Sequence, residues 1–332
     1  MPRINQQFRL AARPQGNVRR EDFDFVEEPA PEPAEGEALV EIEYLSLDPA
    51  MRGWMNEARS YVPPVGIGEV MRAGGVGRVV EANGGKFAEG DHVVGMLGMQ
   101  RFAVTDGKGV TKVDPALAPL PTYLGALGMP GMTAYFGLLE VGKPREGDTV
   151  VVSGAAGAVG GLVGQIAKIK GARVVGIAGG PEKCESVVEG LGFDACIDYK
   201  GGDVAGGLRE HCPEGIDVYF DNVGGKILET CLTRLALHAR VVICGAISQY
   251  NAPEPPKLAN YLALLVTRSS MTGIIVFDWA DRYAEGAAQL AQWLGEGRIT
   301  AREHVVEGFE TFPETLQMLF TGANDGKLVL KV

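Results

Sequence analysis

Histidine is scarce. The chain has four, His92, His211, His238 and His304, scattered over 332 residues. No cysteine stands near them in the first half, and no spacing suits a set of zinc ligands. The chemistry is therefore expected to run without a metal. The five cysteines, Cys184, Cys196, Cys212, Cys231 and Cys244, are odd in number and make no CxxC pair. That speaks against a disulfide framework and for a reducing compartment. Clustered Lys and Arg are missing too, and the net charge is −11, which excludes a nucleic-acid binder of the usual kind. No run approaches the roughly 18 apolar residues of a membrane span. The opening MPRINQQFRL lacks the apolar core of a signal peptide. A cytoplasmic protein without a membrane partner is expected.

What is present is apolar and rich in glycine. Apolar residues make up 46% and charged residues 22%, enough for a real core. The 47 glycines show no collagen-like period, so they predict tight turns and close backbone approaches. The length predicts two domains. The first ~125 residues read as short strands broken by turns such as GGVG, NGGKFAEGD and TDGKG. Residues 39–47, 76–80 and 92–96 are the strands expected there, in a small antiparallel barrel or sandwich. The Pro/Glu-rich EEPAPEPAEGE (27–37) reads as a solvated connection. After about residue 145 apolar strands alternate with amphipathic helices. Strands are expected at 149–153, 173–178, 195–197, 216–220, 240–244 and 271–276. Six such steps imply a doubly wound parallel sheet with right-handed crossovers. Strand-like patches in the last 30 residues should fold back on the first domain.

The strand TVVVS runs into GAAGAVG (154–160) and then into a helix. Small residues at that turn let a pyrophosphate reach backbone N–H groups at the helix N-terminus. The spacing is Ala155-x-Gly157-x-x-Gly160, with Ala in place of the first glycine of the usual motif. An NAD site places a carboxylate at the end of the second strand, to bind the ribose hydroxyls. Here that strand ends in Gly179-Gly180-Pro181, and Lys183 follows. The third strand ends in Asp198-Tyr199-Lys200. Lys183 and Tyr199 can donate to a 2′-phosphate, so NADP(H) is the expected cofactor, although Glu182 and Asp198 blur the pattern. The tips at Asn222, at Cys244–Tyr250 and at Ile274–Val276 should hold the nicotinamide half. Without a Lewis acid, the favoured substrate is an already activated electrophile, a conjugated enone or a quinone.

GMPGMTAYFGL (128–138), AAGAVG, EKC (182–184), DYK (198–200), FDNVGG (220–225), CGAISQYN (244–251), GANDGK (322–327) and LDPAMRGWM (47–55) together resemble one family over nearly the whole chain. It is the zinc-free medium-chain dehydrogenase/reductases, in the branch of prostaglandin reductases and 2-alkenal (double-bond) reductases. The resemblance implies an α/β fold: a Rossmann sheet over 128–302 and a second, mainly antiparallel β-barrel (GroES-like) domain over 1–127, completed by 303–332. It implies NADPH-dependent reduction of the carbon–carbon double bond of α,β-unsaturated aldehydes and ketones, and a homodimer. Ala156, Gly157, Ala158 and Val159 would contact the pyrophosphate, and Lys183 and Tyr199 the 2′-phosphate end. Asn222, the loop Cys244, Gly245, Ala246, Ile247, Ser248, Gln249 and Tyr250, and the tip Ile274, Ile275 and Val276 would frame the ribose and nicotinamide. Asn324 would close over the cofactor. Met129 and Thr133 would lie at a cleft between the domains. Ala50 stands where family members often carry a substrate-facing tyrosine, which leaves the substrate open.

The proton donor is expected to be Tyr250, the ribose hydroxyl or water. A tyrosine hydroxyl, with a free pKa of about 10, stays protonated at neutral pH. Tyr61, in SYVPPVG, is expected to line the substrate pocket, and Arg52 with Asp48 to form a loop ion pair. An NADPH:quinone reductase and a non-catalytic NADPH-binding redox sensor stand as alternatives.

Overall fold

The structure is a computed structural model that describes residues 3–252, 254 and 257–332. The chain folds into two compact units. The first holds the chain up to Leu124 together with Glu303–Val332, and the second holds Gly125–Arg302. The first unit opens with β1 (Ile4–Leu10), β2 (Phe23–Pro29), β3 (Ala38–Ser46) and α1 (Ala50–Trp54). It continues with β4 (Gly74–Ala82), β5 (His92–Met96), β6 (Phe102–Thr105) and β7 (Thr111–Val113). The second unit comprises α2 (Met129–Phe136), β8 (Thr149–Ser153), α3 (Ala158–Ile169), β9 (Arg173–Ala178), α4 (Pro181–Leu191), β10 (Ala195–Asp198) and α5 (Val204–His211). Then come β11 (Ile216–Asp221), α6 (Gly225–Leu232), β12 (Leu235–Ile243), α7 (Leu262–Thr267), β13 (Ser270–Gly273) and α8 (Tyr283–Gly295). The chain returns to the first unit with β14 (Glu303–Glu307), α9 (Phe312–Thr321) and β15 (Lys327–Lys331).

The second unit is a six-stranded parallel sheet in the order β10-β9-β8-β11-β12-β13. Consecutive strands run outward from β8 in one direction, then from β11 in the other. That reversal is the switch point of a doubly wound sheet, where ligands bind. Residues of β8 alternate between two cores. Val150 and Val152 pack with α2, α3 and α8, and Val151 with α5 and α6. Leu162, Val163 and Ile166 of α3 are buried against the sheet, each contributing roughly 1.5–3 kcal/mol of burial. A Cβ at Gly164 would stand 1.8 Å from the Phe193 ring in the connection between α4 and β10, so glycine is required there.

Seven strands of the first unit form a sheet ordered β14-β15-β3-β4-β5-β7, with β6 also pairing β3. Its pairs are antiparallel except β14 with β15. The last strand is tied in chemically. Lys327 is 3% exposed, and its Nζ donates to Asp48 Oδ1 and to the Leu47 carbonyl, each at 2.8 Å. Asp48 thus makes its ion pair with Lys327, and not in the loop pair expected with Arg52. Arg52 donates to the carbonyls of Pro14 and Gly16 and to Asn56.

Several boundaries differ from the sequence reading. The ribbon of β1 and β2 was not read, because β1 buries polar side chains. Asn5 is fully buried, accepting from the N–H groups of Arg101 and Phe102 and donating to the Phe102 carbonyl. The Pro/Glu-rich stretch begins inside β2. Strand β12 starts earlier than expected and passes through His238 at φ 62, where pairing with β11 shifts register. Strand β13 ends at Gly273, so Ile274, Ile275 and Val276 follow it.

Candidate functional site

Five strand tips of the second unit carry the residues of interest. At the first, β8 turns into α3 through Gly154, at φ +62. A Cβ at Gly160 would stand 2.2 Å from the Gly154 carbonyl oxygen, so this turn requires glycine there. Helix α3 starts after Gly157 with no side chain capping it. Its first N–H groups therefore face outward beside the half-buried Gly157, Ala158 and Val159, as an anion needs. Ala156 is buried. The alanine in place of the first glycine has an explanation. Ala155 is fully buried, and its methyl sits over Gly176 of β9, where a Cβ would come within 2.8 Å of it. The missing glycine of the turn is supplied by the neighbouring strand.

At the second and third tips, β9 and β10 pair with Asp198 beside Ala178. Asp198 is the carboxylate that blurred the cofactor reading. Its Oδ1 accepts the N–H groups of Gly180 at 2.7 Å and Lys200 at 2.9 Å. The Gly180 bond is the main reason its carboxyl is held below the usual range. The charge is therefore committed to the turn after β9. The Tyr199 ring lies over Gly179, where a Cβ would be 2.9 Å from the phenol oxygen. Lys183 sits in the first turn of α4, four residues further on. A lysine in the first turn of α4 and the Tyr199 ring thus follow the end of β9, and the carboxylate there is bound to backbone.

The fourth and fifth tips are organised by a residue that the motif reading passed over. Asp221, the last residue of β11, is fully buried. It accepts from Ser153 Oγ at 2.8 Å, from the Tyr219 hydroxyl at 2.7 Å and from the N–H groups of Val223 and Gly224 at 3.1 and 3.0 Å. Ser153 Oγ in turn accepts the Asn222 N–H at 2.9 Å, and Asn222 Nδ2 donates to the Ser153 carbonyl at 2.7 Å. Asn222 is thereby clamped to the tip of β8. The Asp221 carbonyl accepts from Cys244 and Gly245 N–H, and Ser248 Oγ donates to the Val223 carbonyl. The Cys244–Tyr250 loop is thus laced to the β11 tip. Tyr250 is half-buried, and its hydroxyl accepts the Ala246 N–H at 3.2 Å. Gln249 Nε2 donates to Ser248 Oγ. The signal for this network was legible as an acid ending an otherwise buried strand.

The remaining expected residues are placed as follows. Ile274 and Val276 bury their side chains in the core, which leaves Ile275 half-exposed. Met129 and Thr133 occupy successive turns of α2, where Thr133 Oγ1 donates to the Met129 carbonyl. In the first unit, Asn324 Nδ2 donates to the Gly326 carbonyl just before β15. Tyr61 is 49% exposed, and Ala50 packs at the start of α1. Among the described residues no group of three or more His, Cys, Asp or Glu side chains is placed to hold a metal ion.

Residues 6–113 match a family described as the N-terminal domain of oxidoreductase, and residues 158–293 one described as zinc-binding dehydrogenase. The chain is 44% identical to the NADPH-dependent curcumin reductase of Escherichia coli, over 99% of this chain and 97% of that one. It is 40% identical to the 2-alkenal reductase (NADP(+)-dependent) of Nicotiana tabacum, over 89% of this chain and 87% of that one. The crystal structure of CurA in complex with NADPH from Vibrio vulnificus superposes with a TM-score of 0.93 at 47% identity, covering 98% and 99% of the two chains. Fold and site define an NADP-dependent oxidoreductase on a Rossmann sheet. The chain belongs to the medium-chain dehydrogenase/reductases, in the zinc-free branch that includes the curcumin, 2-alkenal and prostaglandin reductases.

Proposed function

We propose that this protein reduces the carbon–carbon double bond of α,β-unsaturated aldehydes and ketones with NADPH. The observation that carries the cofactor half is the β9 tip, where Asp198 is bound to backbone, so that Lys183 and Tyr199 would hold the 2′-phosphate. The α3 N-terminus at Ala156–Val159 takes the pyrophosphate. Asn222, Cys244–Tyr250 and the backbone of Ile274–Val276 frame the ribose and nicotinamide, and Asn324, Met129 and Thr133 are proposed as further cofactor contacts. When bound by these residues, NADPH would supply a hydride to the β-carbon, and a proton from Tyr250, water or the ribose hydroxyl would complete the reduction at the α-carbon. Charge then gathers on the substrate oxygen, and a preorganised donor stabilises it. Tyr250 is that donor, because its hydroxyl already accepts the Ala246 N–H, which polarises its O–H. Tyr61 is proposed as a substrate contact. The substrate half rests on membership of the branch. Rates of NADPH consumption with a 2-alkenal and a benzoquinone, measured side by side, test it. Turnover of the quinone alone would make the protein a quinone reductase, and binding without turnover a sensor.

Lys183→Ala is expected to raise the NADPH KM about tenfold and leave NADH nearly unchanged, as for one lost charge-assisted hydrogen bond. Equal use of NADH and NADPH by the parent would remove the assignment.

The protein is also proposed to be a homodimer through the β13 edge. Every residue of β13 is exposed, and of α7, which precedes it, only Ala263, Leu264 and Thr267 are partly buried. Leu265 and Val266 are 75% and 77% exposed. An open edge flanked by apolar side chains suits pairing with a second copy. The parent is expected to elute at twice 35.2 kDa, and the double change Leu265→Glu with Val266→Glu to elute as a monomer. Light scattering decides, and a parent monomer refutes the reading. All five cysteines are free, which supports the proposed cytoplasmic location. No helix among the described residues is long and apolar enough to cross a membrane.

A further inference from the structure

Two thiols that the reaction does not use lie beside the proposed 2′-phosphate corner. Cys184 is in the first turn of α4, next to Lys183, and Cys196 is on β10, three residues before Tyr199. Their sulfurs are 2.8 Å apart, with the Cys196 S–H donated to Cys184. Both residues are half-buried at the margin of the core. They lie near the β10 edge of the sheet, opposite the β13 edge.

We propose that Cys184 and Cys196 are an oxidation site for hydroperoxides, and that the disulfide they form weakens NADPH binding. The second half rests on the assignment of the 2′-phosphate to Lys183 and Tyr199. Cys184 is the attacking sulfur. Burial raises the pKa of both thiols, and the S–H bond between them lowers that of Cys184 while raising that of Cys196 further. The Cys184 sulfur attacks a peroxide oxygen, the O–O bond breaks, and water or an alcohol leaves, giving a sulfenic acid. The Cys196 sulfur then attacks that sulfur, the S–S bond forms and a water leaves. The two thiols lose two electrons and two protons, and the hydroperoxide is reduced to alcohol and water. Joining the sulfurs draws the first turn of α4 towards β10 and fixes the torsion between them. Lys183 lies in that turn of α4 and Tyr199 directly follows β10, so their spacing changes together.

The test uses the full reduced protein exposed to hydrogen peroxide, then alkylated, digested and mapped by mass spectrometry. NADPH affinity is read in parallel by fluorescence titration, which needs no substrate. A cross-linked Cys184–Cys196 peptide, lighter by two hydrogens, is expected. The NADPH Kd should rise about tenfold, the loss of one charge-assisted hydrogen bond, and dithiothreitol should reverse it. Cys184→Ser and Cys196→Ser should keep the parent Kd and ignore peroxide. Absence of the linked peptide overturns the site. A linked peptide with unchanged Kd overturns the coupling. If Lys183→Ala leaves the NADPH Kd of the reduced protein unchanged, the cofactor assignment and the coupling both fall, and the mapped peptide alone then judges the oxidation site.

Discussion

Tyr250→Phe lowers kcat on a 2-alkenal by about 100-fold, the scale seen when one donor to a developing oxyanion is removed. The ring stays, so packing in the Cys244–Tyr250 loop is preserved. Within its own loop the lost hydroxyl accepts the Ala246 N–H. Cofactor affinity should therefore change little, and the loss should appear in kcat because the interaction strengthens in the transition state. Steady-state kinetics together with an NADPH titration separate the two. An unchanged kcat takes Tyr250 out of the chemistry and leaves water or the ribose hydroxyl as the donor. A fall in NADPH affinity alone assigns the residue to cofactor positioning.

Asp221→Ala is expected to be the most damaging single change in the second unit. It strips the acceptor from two hydroxyls and two N–H groups inside a fully buried site. Each buried donor left unsatisfied costs about 1–3 kcal/mol, and entering water recovers part of that. A net loss of about 4 kcal/mol corresponds to a melting temperature lower by roughly 10 °C for a unit of this size. NADPH binding should weaken in the same variant, because Asn222 and the Cys244–Tyr250 loop hang on this carboxylate. Asp221→Asn keeps the shape but turns an amide towards four donors, so an intermediate loss is expected. Thermal melts followed by circular dichroism, with NADPH titration below the transition, check both. A melting temperature close to the parent's in Asp221→Ala would show that the donors find other partners.

Much of the second unit was legible because its signals are local. Apolar strands such as TVVVS are buried on both faces and read as continuous apolar runs. The α3 face repeats at helical spacing, and the small residues at 154–160 mark a turn that must stay tight. The first unit was less legible. Its β1 buries Asn5 and Gln7, which are 0% and 4% exposed. A strand that satisfies its neighbours' backbone groups with side-chain amides carries no apolar alternation to read. Likewise β13 reads as longer than it is, because Ile274 continues the apolar run after pairing with β12 has ended at Gly273.

The sequence by itself determined the class. The order of strands and helices, the glycine-rich turn and the lack of a carboxylate at the end of the second strand are all properties of short segments. What only the tertiary structure decided is which polar groups remain available to a ligand. Asp198 is spent on the Gly180 N–H, Asp221 on a buried network with Ser153 and Tyr219, and Lys327 on Asp48. Gly176 makes room for the Ala155 methyl, and the Cys184 and Cys196 sulfurs meet from different elements. Each of these depends on a partner distant in the chain, and a hydrogen bond or steric contact acts only over a few ångströms. Residue type tells what a side chain can do, but its neighbours in space determine whether it is already committed.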